Sequence, residues 1–241
     1  MLLSKKDPTK DPIILWLQGG PGASSMYGLM IQWGSKVITC GADQLIDNPF
    51  PLNERATVIF LDNPAGVGFS SPKGVDNSFD SALDILNFLD QLRKTDFNGH
   101  KFVDQPMHVM GASFAGHYIS ALGLTIATDP KYKGLNVKSL IMANPSLDEK
   151  RQYDQVYDTI CDAAQSPDPY WLLDNQQCHD WKAAIPQCQL AIDACRKDLA
   201  FCKEGTIEAA CSKCEPWFYF QVREKCFAMP ERFIMLPIGP P

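Results

Sequence analysis

The sequence predicts an α/β protein, a mostly parallel β-sheet with helices on both faces, joined to a Cys-rich helical subdomain. Short continuous apolar runs occur between residues 11 and 146, as expected of strands buried on both faces. Amphipathic stretches alternate with them, which favours helices that cross over the sheet. Beyond residue 150 the chain is strand-poor and rich in cysteine. We therefore predict a partial sheet domain at 1–150 and a helical subdomain at 151–241.

Each element follows from its local pattern. Strands are predicted where apolar, β-branched or aromatic residues run without interruption, at 12–17, 57–62, 107–111 and 137–144. Helices are predicted where apolar residues recur at three- and four-residue spacing, at 81–94 and 119–128. This order of strands and helices predicts a parallel sheet built from strand–helix–strand units.

Composition and charge exclude several classes of partner. The chain has 241 residues, a formal net charge of −6 and no cluster of Lys and Arg, so we expect neither nucleic acid nor membrane as a partner. No apolar run approaches the roughly 20 residues that cross a bilayer. The first twelve residues carry charges where a signal peptide has its apolar region, so no signal peptide is visible.

The cysteines point to an oxidising compartment. Eight of the nine lie between Cys161 and Cys226, a density typical of a disulfide framework. The alternative is a zinc site at Cys211 and Cys214, but no second metal-binding pair follows, so we predict no metal and no cofactor. We expect a secreted protein or one in the vacuolar or lysosomal lumen, and we expect that Met1 is not its true beginning.

Ser113 is the candidate nucleophile. An apolar strand runs into residues 111–116, and a helix-compatible run follows them. This strand–turn–helix context is the one that exposes a catalytic serine at the carboxyl end of a sheet. The residues two places before and after the serine must be small because the turn is tight, and they are Gly111 and Ala115.

A second glycine-rich loop follows the first strand. Residues 17–25 read LQGGPGASS, and a pair of glycines after a strand is where such folds place backbone N–H groups for an oxyanion. The alternative is a simple β-turn with Pro21 at its corner.

Four ordered segments together resemble the serine carboxypeptidases, a family with the α/β-hydrolase fold. The segments are DPIILWLQGGPGASS at 11–25, ATVIFLDNPAGVGFS at 56–70, GASFAGHY at 111–118 and IMANPSLD at 141–148. The Cys-rich region is similar to the helical insertion of that family. The resemblance implies that Ser113 is the nucleophile and that the N–H groups of Gly20 and Phe114 form the oxyanion hole. It also implies a peptide substrate, whose C-terminal residue is released through an acyl-enzyme.

The resemblance implies a substrate-binding set that differs from the family pattern. Trp16 and Gly19 match positions that line the site for the terminal carboxylate of the peptide. Gln18, Gln32 and Ala112 stand where the family has Asn, Glu and Glu. Ala112 has no polar atom, and a lost buried hydrogen bond to a charged group costs about 1.5–3 kcal/mol. We therefore expect weaker selection for a free C-terminus.

The usual Asp and His of the triad are not found. None of the four histidines matches the family position, and these are His100, His108, His117 and His179. Asp62 and Asp148 lie at strand ends, where a triad acid could also lie. Their neighbouring loops favour a structural role for both. The resemblance predicts that the first strands and the final third of the fold, with the Asp and His, lie outside these residues. Alone, the chain should be nearly inactive, and its sheet should expose an apolar edge.

Three functional readings follow. The first is a serine carboxypeptidase-type hydrolase of which this sequence is either a fragment or one piece of a two-piece enzyme, with the Asp and His supplied by a second chain. The second is a catalytically inactive family member that serves as a binding or interaction protein. The third is an acyltransferase, in which an alcohol replaces water.

Eight cysteines allow 105 pairings in principle. The resemblance implies Cys161 with Cys178, and Cys195 with Cys202 nested inside Cys188 with Cys211. Cys214 and Cys226 would then pair, and Cys40 is left over.

Overall fold

The structure is a computed structural model that describes residues 2–3, 7–8, 10–38, 44–71, 75, 77–96, 101–102, 104–162 and 173–197. The chain divides into two compact units, Met1–Leu147 and Asp148–Pro241.

The first unit is built on a mostly parallel sheet, which confirms the predicted fold class. Its described strands are β1 (Leu2–Leu3), β2 (Ile13–Leu17), β3 (Lys36–Ile38), β4 (Leu45–Asp47), β5 (Thr57–Leu61), β6 (Met107–Ala112) and β7 (Val137–Ala143). Five of them form one sheet in the order β1-β5-β2-β6-β7, while β3 and β4 form a separate hairpin. Strands β5, β2, β6 and β7 run parallel, and β1 is antiparallel to β5.

The helices begin earlier than the sequence pattern predicts. The described α-helices are α1 (Ser78–Lys94), α2 (Ala115–Thr128), α3 (Glu149–Cys161) and α4 (Asn175–Lys197). Helix α1 begins three residues before the predicted position because Asn77 caps it, accepting from the N–H groups of Phe79 and Asp80. Helix α2 begins four residues early because it starts directly at the turn that holds Ser113.

The two faces of the sheet are packed differently. Helices α1 and α2 pack on one face, against Leu15, Leu17 and Val109, all fully buried. The other face carries Trp16, Val58 and Phe60 and packs against Leu29, in a short π-helical turn at Gly28–Trp33. Each fully buried side chain of this kind contributes roughly 1.5–3 kcal/mol, so both faces contribute to stability.

Strand β7 is an open edge in the described part of the sheet. It pairs with β6, and no further strand lies beyond it among the described residues. Leu140, Ile141 and Met142 are 38%, 42% and 36% exposed. An edge strand with unpaired backbone groups and exposed apolar side chains is a template for another strand.

The second unit contains α3 and α4, joined by a disulfide between Cys161 and Cys178, the pair that the resemblance implied. Trp181 is buried beside this disulfide and meets Tyr157 edge to face. Cys188 is also disulfide-bonded. The pairings predicted for Cys195, Cys202, Cys211, Cys214 and Cys226, and the leftover Cys40, lie outside the described residues and side chains.

None of the helices in the described ranges is both long enough and apolar enough to span a bilayer. The same ranges contain no group of three or more His, Cys, Asp or Glu side chains arranged to hold a metal ion.

Candidate active site

Ser113 lies on a sharp turn between β6 and α2. Its φ is 59°, in the left-handed region, which costs a non-glycine residue about 1–2 kcal/mol. Three backbone hydrogen bonds hold the turn. The Ser113 N–H donates to the Ala143 carbonyl at 3.1 Å, and the Ser113 carbonyl accepts from the N–H groups of Gly116 at 3.0 Å and Ser146 at 2.9 Å. The end of β7 therefore fixes the strained serine in place.

Close packing around the turn explains its small residues. A methyl group added at Gly111 would lie 2.7 Å from both the Ala115 Cβ and the Leu17 carbonyl oxygen. Real Cβ atoms almost never approach backbone so closely, so a side chain at this position would push α2 away from the sheet. The glycine and the alanine on either side of Ser113 therefore keep strand and helix in contact.

The glycine-rich loop after β2, residues 18–25 and here called the oxyanion loop, lies directly against this turn. A methyl group added at Gly19 would lie 2.7 Å from the Phe114 nitrogen and 2.8 Å from the Ser113 Cβ. Within the described residues, the N–H groups of Gly20 and Phe114 have no hydrogen-bond partner. Phe114 also precedes α2, whose N-terminus lacks a side-chain cap, so the positive end of the helix dipole points at the same place.

The five residues predicted to bind substrate do not all lie together. Gly19 adjoins the turn, and Gln18 and Ala112 are half-buried next to it in sequence. Gln32 lies on the π-helical turn, where its carbonyl accepts from the Asn48 side chain at 2.9 Å. Its Oε1 is buried and has no partner among the described residues.

The Trp16 side chain lies in the core beneath Gln18. Its side chain is 0% exposed and belongs to the core on the second face of the sheet. The reason is the alternation of side chains along β2, which turns Trp16 to the same face as Val58 and Phe60 of the adjacent strand. Its indole Nε1 donates to the Gln18 Oε1 at 3.2 Å, so Trp16 acts on the site through Gln18.

No described histidine hydrogen-bonds to Ser113. His108 Nδ1 lies 2.8 Å from the Ser139 hydroxyl across β6 and β7. The His117 ring stacks on Phe114, with 4.5 Å between ring centroids. His179 belongs to the second unit, where its Nδ1 is 3.6 Å from an Asp180 oxygen, and His100 lies outside the described residues.

Tyr118, which sequence analysis did not single out, connects α2 to the oxyanion loop. It is buried four residues after Phe114, and its ring meets the Phe114 ring with centroids 5.3 Å apart. Burial raises the pKa of the Tyr118 phenol, and a hydrogen bond from the Gly22 N–H opposes part of this rise. The sequence spacing could have identified Tyr118, because a residue four places after Phe114 lies on the same face of α2.

The raised pKa of Tyr118 predicts a loss of stability in alkali. In the unfolded chain the phenol has its ordinary pKa of 10.0, whereas the folded protein holds the proton more tightly. The contribution of the neutral Tyr118 phenol to the free energy of unfolding is therefore complete below pH 10.0. It is lost as the pH rises through the pKa that the phenol has in the folded protein. Urea unfolding at a series of pH values above that point should show a smaller decline in Tyr118→Phe than in the wild type.

The strain at Ser113 predicts different effects of two substitutions on stability. Ser113→Gly should raise the free energy of unfolding by about 1 kcal/mol, because glycine adopts a positive φ without steric cost. Ser113→Ala should leave it within about 0.5 kcal/mol, because alanine keeps the strain. Thermal melts of the two variants test this, and equal melting temperatures would show that the turn is not strained.

Together, the parallel sheet and the left-handed serine between strand and helix define an α/β-hydrolase-type fold. The sequence profile described as serine carboxypeptidase matches residues 1–232, and the chain belongs to the serine carboxypeptidase family. It is 36% identical to carboxypeptidase Y of Saccharomyces cerevisiae over 195 residues, which cover 80% of this chain and 35% of that protein.

A second carboxypeptidase sequence and a solved carboxypeptidase structure are also similar to this chain. The chain is 35% identical over 193 residues to carboxypeptidase Y homolog A of Uncinocarpus reesii, covering 80% of this chain and 34% of that one. A crystal structure of the prohormone-processing carboxypeptidase Kex1(delta)p from Saccharomyces cerevisiae is similar in fold, with a TM-score of 0.65 and 21% identity. That likeness covers 93% of this chain and 47% of the other. The chain thus spans about a third of the length of the curated relatives it matches.

Proposed function

We propose that this chain supplies the nucleophile and the oxyanion hole of a serine carboxypeptidase-type hydrolase. The Ser113 Oγ attacks the carbonyl carbon of the last peptide bond, and the N–H groups of Gly20 and Phe114 bind the oxyanion that develops. The C–N bond then breaks, the amine leaves with the serine proton, and water hydrolyses the acyl-enzyme. The observation that carries the proposal is the left-handed Ser113 packed against Gly19.

The general base comes, in this proposal, from a second chain that carries an Asp and a His. Two observations support it. Among the described residues, no side chain hydrogen-bonds to the Ser113 hydroxyl, and β7 is an edge strand with exposed apolar side chains. A parallel strand added at that edge ends on the same side of the sheet as Ser113, because parallel strands share their carboxyl ends. Without it, only about 10³–10⁴-fold catalysis over water remains.

The substrate class is a peptide, with weaker selection for a free carboxylate than the family pattern implies. Gln18 and Gln32 carry neutral amides, and Ala112 offers no polar atom. The disulfide between Cys161 and Cys178 supports a secreted protein or a vacuolar or lysosomal location, because such bonds persist in oxidising compartments.

Labelling with a fluorophosphonate probe tests the nucleophile. The purified chain should become labelled slowly at Ser113, and Ser113→Ala should take no label. Co-expression with the carboxyl-terminal portion of carboxypeptidase Y from Saccharomyces cerevisiae should accelerate labelling at least tenfold, because a base then faces the serine. Label on other residues, or equal label in Ser113→Ala, would refute the proposal.

The second candidate function is peptide binding without catalysis, favoured by the absence of a hydrogen-bonded base at Ser113 among the described residues. It predicts a chain that takes no label yet binds peptides. Under this alternative, Ser113→Ala should bind a peptide with unchanged affinity in isothermal titration calorimetry.

A further inference from the structure

Asp62 follows β5, and its carboxylate lies between two loops. Its Oδ1 accepts from the Ser24 hydroxyl at 2.6 Å and from the Ser25 N–H at 2.8 Å. Its Oδ2 accepts from the Phe69 N–H at 2.9 Å. Both oxygens are thus engaged by backbone and hydroxyl donors, which explains an aspartate at a strand end without any place in a triad.

Ser25 extends this connection to the other end of the oxyanion loop. It is fully buried, and its hydroxyl donates to the Leu61 carbonyl at 2.6 Å while accepting from the Gln18 N–H at 3.0 Å. Gly20 therefore lies between two anchored points, Gln18 on one side and Ser25 on the other. Groups at the end of β5 therefore hold the carboxyl end of the loop in place.

The second loop approaches Asp62 closely only because of a glycine. Gly68 has a φ of 55°, and a methyl group there would overlap the Asp62 carboxylate and lie 2.8 Å from the Ser24 hydroxyl. Ser24, Asp62 and Gly68 are thus in close contact, and there is no room for a side chain at position 68.

We propose that Asp62 is a positioning residue for the oxyanion hole, holding the oxyanion loop so that the Gly20 N–H faces the same oxygen as the Phe114 N–H. The inference rests on the function proposed for Ser113. An oxyanion donor must lie about 2.7–3.1 Å from the oxygen in the transition state, so a small displacement of the loop weakens it. Hydrogen bonds to a carboxylate are about twice as strong as neutral ones, which suits Asp62 to this role.

Two variants separate positioning from folding. Asp62→Asn keeps one acceptor oxygen for Ser24 and Ser25 and presents an N–H group to the Phe69 N–H. Ser24→Ala removes one donor and leaves the carboxylate in place. The matched control is Asp129→Asn, since Asp129 also accepts a backbone N–H, that of Lys131 at 2.9 Å, at a turn outside the site.

Two measurements on the full chain give the readout. Amide hydrogen exchange at Ala23, whose N–H donates to the Gly19 carbonyl within the oxyanion loop at 3.1 Å, followed by NMR, should be about tenfold faster in Asp62→Asn than in the wild type, and faster by a smaller factor in Ser24→Ala. The rate of Ser113 labelling at saturating fluorophosphonate should fall about tenfold in Asp62→Asn, while the half-saturating probe concentration changes less than twofold. Asp129→Asn should match the wild type in both.

Unchanged Ala23 exchange in both site variants overturns the proposal, whether or not Ser113 becomes labelled. Faster exchange with an unchanged labelling rate also overturns it, because the loop then moves without consequence for the oxyanion. A wild-type chain that takes no label refutes the function proposed for Ser113, and the exchange measurement still decides the role of Asp62.

Discussion

Gly19→Ala is expected to reduce labelling of Ser113 by at least 100-fold. The added methyl group would lie 2.7 Å from both the Ala112 carbonyl oxygen and the Phe114 nitrogen. Both are backbone atoms at the serine turn, so neither can move aside without unfolding the turn, and the oxyanion loop must lift away instead. Loss of a single oxyanion donor costs about 10²–10³ in rate. Lifting the loop would take the Gly20 N–H out of the proposed oxyanion hole and would also displace the Phe114 N–H.

Gly134→Ala is the matched control. A methyl group there would meet the Arg93 guanidinium at 3.5 Å, an ordinary contact. Thermal melts should show a destabilisation of about 1–3 kcal/mol for Gly19→Ala and less than about 0.5 kcal/mol for Gly134→Ala. If Gly19→Ala becomes labelled as fast as the wild type, the oxyanion loop does not serve Ser113.

The serine turn could be predicted from the sequence because its determinants are local. Gly111, Ser113 and Ala115 lie within five residues, and the strand before and the helix after them have clear patterns. The same holds for the four parallel strands, whose continuous apolar runs match β2, β5, β6 and β7. The exposed edge of β7 in the described part of the sheet was also expected, since an edge strand leaves backbone groups unpaired.

The anchoring of the oxyanion loop could not be predicted in this way. Asp62 lies 37 residues from Ser25 in the sequence, and only the parallel pairing of β2 with β5 brings them together. An aspartate at a strand end gives the same sequence pattern whether its carboxylate orients a histidine or holds a loop. The burial of Trp16 was missed for a related reason, because a motif gives the position of a residue along a strand but not which face is covered.

Trp16 is nevertheless expected to have a large effect on stability. Its indole is fully buried, lies 5.7 Å from the Trp33 ring between centroids, and touches Gly28 so closely that a methyl group there would overlap it. Removing a buried Trp side chain costs about 3–5 kcal/mol, so Trp16→Ala should lower the free energy of unfolding by about 4 kcal/mol in urea titrations.

Trp16→Phe separates packing from the hydrogen bond to Gln18. It keeps an aromatic ring in the core and removes the Nε1 donor, so the loss of stability should be only about 1–2 kcal/mol. The Gln18 side-chain amide signals should nevertheless shift in NMR spectra, since Gln18 Oε1 has lost its donor. An unchanged Gln18 signal, or a cost below about 1 kcal/mol for Trp16→Ala, would contradict this account of how the core supports the site.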